Sequence, residues 1–314
     1  MTVSLRGRRG VSTVADVSLA ILVLVAAIAV LATFADGTER THDPSQGPNT
    51  AETLGASTVN ASYSMEPVLA ADEFPGDNGY SDDELQRVSH GPIAGQVGAG
   101  AVSNVTFDVH TEPTPLSIAG SEYVEAIDEA VQASLVESSF ESNVSGDWQP
   151  YEGASIRGEV AVGQQPPPEV ETSLTTLAVP SGIPDLREEA LGAVENEDDY
   201  GTVARIAAEA LIERLVPRLE SQRALESSGL ERELAVYRYR RVATVVDRVS
   251  PDDEAIAENL ERESADTAAL NKYLTGALAV QLNAELEATF ETAQAAARAL
   301  RMHEVTVTVR TWDP

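Results

Sequence analysis

Four histidines, His42, His90, His110 and His303, are the only imidazoles, and no two stand at a metal-ligand spacing. Two acidic clusters, Asp82-Asp83-Glu84 and Glu195-Asn196-Glu197-Asp198-Asp199, have the charge to attract cations but not the spacing of a calcium loop. The sequence holds no Gly-x-Ser-x-Gly elbow and no glycine loop of phosphate-binding form. With no cysteine, disulfides, thiolate metal sites and cysteine nucleophiles are excluded. No catalytic, cofactor-binding or metal residue is nominated, and a non-enzymatic protein is expected. Three sequons remain: Asn60-Ala-Ser62, Asn104-Val-Thr106 and Asn143-Val-Ser145. Each is an N-glycan acceptor if this part of the chain is exported. Arg238-Tyr239-Arg240-Arg241 is a basic cluster that pairs with the chain's own carboxylates or with an acidic partner.

The surroundings of these residues are strongly acidic. The formal net charge is −30 over 314 residues, the pI is near 4.3, and Lys272 is the only lysine among 21 basic residues. Acid excess with so little lysine looks like a protein of a salt-in halophile. At 1 M salt the Debye length is only about 3 Å, so surface carboxylates barely repel one another. At low salt the same charge opposes compaction. Nucleic-acid binding is disfavoured because no basic face is visible.

The elements that must position these residues begin with a basic-apolar head. Arg6, Arg8, Arg9 and Gly10 precede Val11 to Asp16, and Val17 to Ala35 is almost wholly apolar. The run has about the length a bilayer requires of a helix, roughly 20 residues. A signal anchor with its arginines in the cytoplasm is one reading. A secretory signal cut after Thr33-Phe34-Ala35 is another, and Arg8-Arg9 hints at a twin-arginine signal. The resulting division is a basic cytoplasmic leader (1–10), a transmembrane helix (11–35), a linker (36–50), a mixed α/β extracytoplasmic part (51–182) and a helical part ending in a strand (183–314).

Periodicity supplies the rest. Strands are expected near Thr58–Tyr63, Val102–Val109, Ile156–Val162, Leu174–Val179 and His303–Trp312. Ser121 opens a helix with an apolar stripe at Val124, Ile127, Val131 and Leu135. Glycines argue against a long helix in Ser81–Val102. Tyr200–Val249 reads as helical, kinked at Pro217 and breakable at Ser228-Gly229. Asp266 caps the longest expected helix, Thr267 to about Arg301, whose alanine-rich face suits close packing within the domain or an intersubunit seam. The fold class is α+β: a single N-terminal transmembrane helix, then a domain with a small antiparallel sheet and long C-terminal helices. The last strand is expected to pair with Ile156–Val162.

Arg-Arg-Gly followed by Val-Ser-Thr-Val-Ala-Asp and the apolar run resembles the class III signal of archaeal type IV pilin-like proteins. That resemblance implies cleavage by a prepilin peptidase between Gly10 and Val11. Ala15 and Asp16 stand where that family often has a glutamate at the first of the two positions. Ser89-His90-Gly91-Pro92, Val162-Gly163 before Pro166-Pro167-Pro168, and the ending Val307-Thr308-Val309-Arg310-Thr311-Trp312 extend the likeness to an uncharacterised haloarchaeal family of pilin-like, membrane-anchored proteins. The implied function is that of an accessory or minor subunit of a type IV pilus-like or type II secretion-like system. The implied partners are the membrane, the prepilin peptidase, other pilin-like subunits and a secretion platform. The alternative is a plain single-pass envelope protein, amino terminus cytoplasmic, whose outer domain binds a partner. The charge reading has a direct check: dialysis of the soluble part from molar to low salt is expected to unfold it, and a circular dichroism spectrum unchanged by that step would exclude a halophilic surface.

Overall fold

The computed structural model describes residues 45–76, 79–108, 114–135, 140–246, 249–261 and 263–313. In chain order its first elements are α1 (Gln46–Ala56), β1 (Thr58–Ser64), α2 (Glu66–Leu69), α3 (Asp82–Leu85), β2 (Gln86–Pro92) and α4 (Ile93–Ser103). Next come β3 (Val105–Phe107), β4 (Thr114–Pro115), α5 (Gly120–Leu135), β5 (Glu141–Trp148), β6 (Ile156–Gly163) and β7 (Ser173–Pro180). The remainder is α6 (Arg187–Ala193), α7 (Tyr200–Leu215), α8 (Arg218–Glu226), α9 (Leu230–Val245), α10 (Glu254–Leu260), α11 (Thr267–Thr289), α12 (Ala293–Ala299) and β8 (Glu304–Trp312).

The fold is α+β with antiparallel sheets. A six-stranded sheet runs β4-β3-β6-β5-β8-β7, and β1 with β2 forms a separate hairpin. β8 inserts between β5 and β7, with Val309 opposite both Val144 and Thr175. The expected pairing of the last strand with Ile156–Val162 is therefore corrected: β6 pairs with β5 and β3. β5 shows why. Its sequence, ESNVSGDW, looks polar, but Val144, Gly146 and Trp148 all point inward and are buried. A glycine in the apolar register hides the strand's alternation, so the strand that separates β6 from β8 was not visible.

α4 lies on the buried face of the sheet, against β5, β6, β7 and β8. Ile93, Val97 and Ala101 are completely buried. Its glycines, which argue against a helix by propensity, permit one by packing. A Cβ on Gly98 would overlap the side chain of Val179, and one on strand residue Gly158 would overlap the carbonyl of Ala101. On β5, a Cβ at Gly146 would sit 3.2 Å from the carbonyl oxygen of Val97. Helix and strands meet backbone to backbone, and tertiary contact overrides the intrinsic cost of glycine. α1 packs against β7 and β8, and α5 against β6 and β1.

The helical part breaks at both expected points. α7 ends before Pro217, and Gly229, at φ 72°, separates α8 from α9. α11 runs antiparallel to α7: Asn271 Nδ2 donates to the carbonyl of Val216 at 3.0 Å, and Gly201 faces Asn283. Asp266 caps α11 through the N–H of Ala269 at 3.0 Å. Leu270, Leu274, Leu278, Leu282 and Leu286 form its wholly buried stripe. Burial of each contributes roughly 2 kcal/mol relative to exposure. The helix ends at Thr289, earlier than expected, because Phe290 turns extended and Thr292 caps α12 through Ala295 N–H at 3.1 Å. One hydrophobic cluster runs from Ala51 to Val309 across sheet and helices.

The expected membrane-crossing helix is also corrected. Among the described residues no helix is long and apolar enough to cross a membrane. The longest helix, α11, exposes Lys272 and carries Asn271, Asn283, Glu285 and Glu287. The stretch 11–35 on which that expectation fell lies outside the described residues.

The backbone contact at α4 is testable. Gly158→Ala must displace a main-chain carbonyl, and an over-packed core costs roughly 1–3 kcal/mol. A melting temperature well below that of the parent is expected, whereas Gly192→Ala, with open space around it, should raise it or leave it unchanged.

Candidate functional site

The residues nominated from the sequence do not come together. Gly10, Val11, His42 and His110 lie outside the described residues. His90 sits on β2 opposite Asn60, with Nδ1 2.6 Å from Asn60 Oδ1. His303 stands far along the chain beside Asp185, Nδ1 to Oδ1 4.0 Å. Among the described residues no group of three or more histidine or carboxylate side chains is arranged to hold a metal ion.

One carboxylate of each acidic cluster is used in a turn. Glu84 accepts from the N–H and hydroxyl of Ser81 at 2.9 and 2.8 Å, and the Ser81 N–H foremost holds its carboxyl below the ordinary range. Asp199 accepts from Glu195 N–H at 3.1 Å and caps α7 through Thr202 N–H. The sequons differ in access. Asn60 is exposed on β1. Asn104 follows α4 and donates to the carbonyl of Glu159 at 3.1 Å. Asn143 is buried in β5; its Nδ2 donates to Val162 at 3.3 Å, and its Oδ1 accepts from Arg310 at 3.4 Å.

The basic cluster is divided by the helix period. Tyr239 is buried and donates to Asn271 Oδ1 at 2.7 Å. Arg241 pairs with Glu73 at 2.7 Å, both side chains 12% exposed, and also donates to the carbonyl of Pro115. Burial pushes the Glu73 carboxyl up. The Arg241 guanidinium, a backbone N–H and the Thr244 hydroxyl outweigh that and hold it below its usual value. This pair ties the segment after α2 to α9 beside a second small core of Met65, Val68, Phe74, Leu85 and Leu234.

Two concavities have chemistry worth weighing. The first is a cavity of about 390 Å³ between α4, α5 and the helical part, lined by Tyr123, Tyr237, Ser103, Arg214, Arg238 and Arg241. Arg214 donates through Nε to the carbonyl of Ser181 at 3.1 Å, no carboxylate among the described residues pairs with it, and burial pulls its pKa down. Guanidinium and hydroxyl donors suit an anion rather than a metal ion. Ser89 and Tyr123 on its wall are bonded to the buried Gln96 behind them, and burial raises the Tyr123 phenol.

The second is an open groove of about 920 Å³ between α7 and α11. Ile212, Gly276, Ala279 and Val280 form its apolar part; Arg205, Arg218 and Lys272 lie along it, with Glu209 and Glu213 on the α7 side. No carboxylate among the described residues pairs with those three cations. The α11 wall has a sequence signature that reasoning from motifs missed. Thr267 to Ala284 contains no Asp or Glu, in a chain where 51 of 314 residues are acidic.

A family model described as a family of unknown function, DUF7284, matches residues 15–312. The chain belongs to this family. No curated protein and no solved structure matches it.

The Glu73–Arg241 pair sets a pH dependence. The folded-state pKa of Glu73 is depressed, so its contribution is present above the unfolded value near 4.5 and lost as pH falls through the folded one. Glu73→Gln is expected to cost about 2 kcal/mol at pH 7, and the gap between variant and parent should narrow in denaturant titrations below pH 4.5.

Proposed function

We propose that this protein works by assembly and not by catalysis: an accessory or minor pilin-like subunit of a pilus-like or secretion-like system at the cell envelope. Residues 45–313 form its outer, partner-contacting part. The observation that carries the assembly reading is the α7–α11 groove. It is open and partly apolar, with Ile212, Gly276, Ala279 and Val280 among its lining, and its α11 wall, Thr267 to Ala284, carries no carboxylate. Exposed apolar surface of that kind marks contact sites. The pilin-like part rests on the head Arg6-Gly-Arg-Arg-Gly10 and the apolar run after it, and the halophilic part on the arginine-for-lysine acidity.

Processing and company test the reading. Mass spectrometry of the mature amino terminus from native cells is expected to find a start at Val11, and affinity capture of the full chain is expected to bring down other pilin-like subunits or a secretion platform. An intact Arg6–Gly10 with no such company would replace it with a plain envelope protein whose outer domain binds some other partner.

A further inference from the structure

α11 is amphipathic in an unusual sense. Its buried face is the leucine stripe, and its opposite face, Ala268, Lys272, Gly276, Val280, Ala284 and Ala288, repeats every four residues and is exposed throughout. Val280 is 53% exposed and the neighbouring Tyr273 37% exposed. Such a face on a soluble-looking acidic surface calls for an occupant, and the placement of charge says which. Lys272 stands near one end of the helix, and exposed Glu287 near the other. Neither has an ion-pair partner among the described residues.

We propose that a second copy of this chain fills the seam, α11 against α11, antiparallel about a two-fold axis through Val280. This deepens the assembly reading above and rests on it. With that axis, position 276 faces 284 of the other copy, and position 272 faces 288. Lys272 then meets Glu287 of the other copy at both ends of the seam, and Arg218, beside Lys272 in the groove, adds a second cation there. Gly276 against Ala284 lets the backbones approach closely. Glu209 and Glu213 on the α7 wall also face the incoming helix; Arg205 lies one turn from Glu209 on the same helix, and Glu213 accepts from the backbone N–H of Arg218 at 3.2 Å. A parallel in-register pair would set Lys272 against Lys272; the antiparallel one sets it against Glu287 and is self-complementary, as an isologous contact requires. With the axis at Val280 the two helices overlap from 271 to 289, about 28 Å. Taken as two helices wide, roughly 20 Å, the seam offers about 560 Å² per copy, at the small end of specific interfaces.

The absence of cysteine makes the test clean. In the full-length chain, Val280→Cys places a single thiol on the axis, and mild oxidation is expected to give a disulfide-linked dimer at least tenfold more abundant than from Leu219→Cys, an exposed control on α8. Gly276→Cys and Ala284→Cys each sit about 12 Å along the axis from their own copies, beyond disulfide reach. They should therefore crosslink when the two proteins are mixed and not when alone. Val280→Glu, at an exposed site, should leave the circular dichroism spectrum unchanged and shift the protein to monomer by light scattering.

Crosslinking of V280C no better than the control, trapping of a different protein at position 280, or G276C and A284C each joining to itself would overturn the two-fold seam. So would a monomeric parent chain. The two proposals fail separately. A start at Val11 with envelope company but no V280C dimer removes only the seam; a V280C dimer with an intact leader and no company removes only the pilin-like assignment.

Discussion

The structure depends on how closely a glycine-bearing helix can lie on a sheet. α4 touches β5 and β6 at main-chain distance because Gly146 and Gly158 leave no side chain between them, and Gly98 on α4 makes room for Val179 of β7. That contact decides which face of the sheet is buried and centres the core on Val97 and Ala101, both fully enclosed. The neighbouring strands take their inward register from it: Val144 and Trp148 on β5, Val160 and Val162 on β6, Val307 and Val309 on β8. A chain with few aromatics and no disulfide has little else to hold such a sheet, and dense aliphatic contact at short range supplies the dispersion that larger side chains would provide elsewhere.

The helical part is anchored to that sheet by polar contacts at its rim as well as by the shared core. Tyr151 and Ser155, in the turn between β5 and β6, both donate to Glu285 on α11. Trp148 Nε1 donates to the carbonyl of Met302 at 2.9 Å, and the N–H of Arg301 to the carbonyl of Pro150 at 2.9 Å. These fix the far end of α11, so its leucine face is committed inward and its opposite face outward. The outward face of α11 is a consequence of internal anchoring. The acid-free composition is a separate choice made on top of it.

Charge has three distinct uses in this chain. Carboxylates such as Glu84 and Asp199 close turns and cap helices, where their negative charge meets free N–H groups. Glu73 is largely withdrawn from water, and Arg241, with a backbone N–H and the Thr244 hydroxyl, favours its charged form against burial. The larger number face solvent. The α7–α11 groove is the departure from this pattern, with cations unpaired among the described residues and an uncharged floor, and it is where a contact surface is most economically explained.

What the sequence determined by itself is local. Cap residues, breakers and strict periods act within a few residues, so Asp266, Pro217, Gly229, the Val305–Val307–Val309 alternation and the stripe of α5 were legible, as was the α+β class. Tertiary structure decided what depends on neighbours far along the chain. Gly98 and Gly100 count against a long helix until the sheet beneath them is known, and Gly146 conceals a strand until Val97 is seen to rest on it. The order of strands, with β8 between β5 and β7, rests on contacts between residues separated by more than a hundred positions. The groove is the same case: its acid-free wall is written in consecutive residues, but a concavity exists only once α7 and α11 lie side by side.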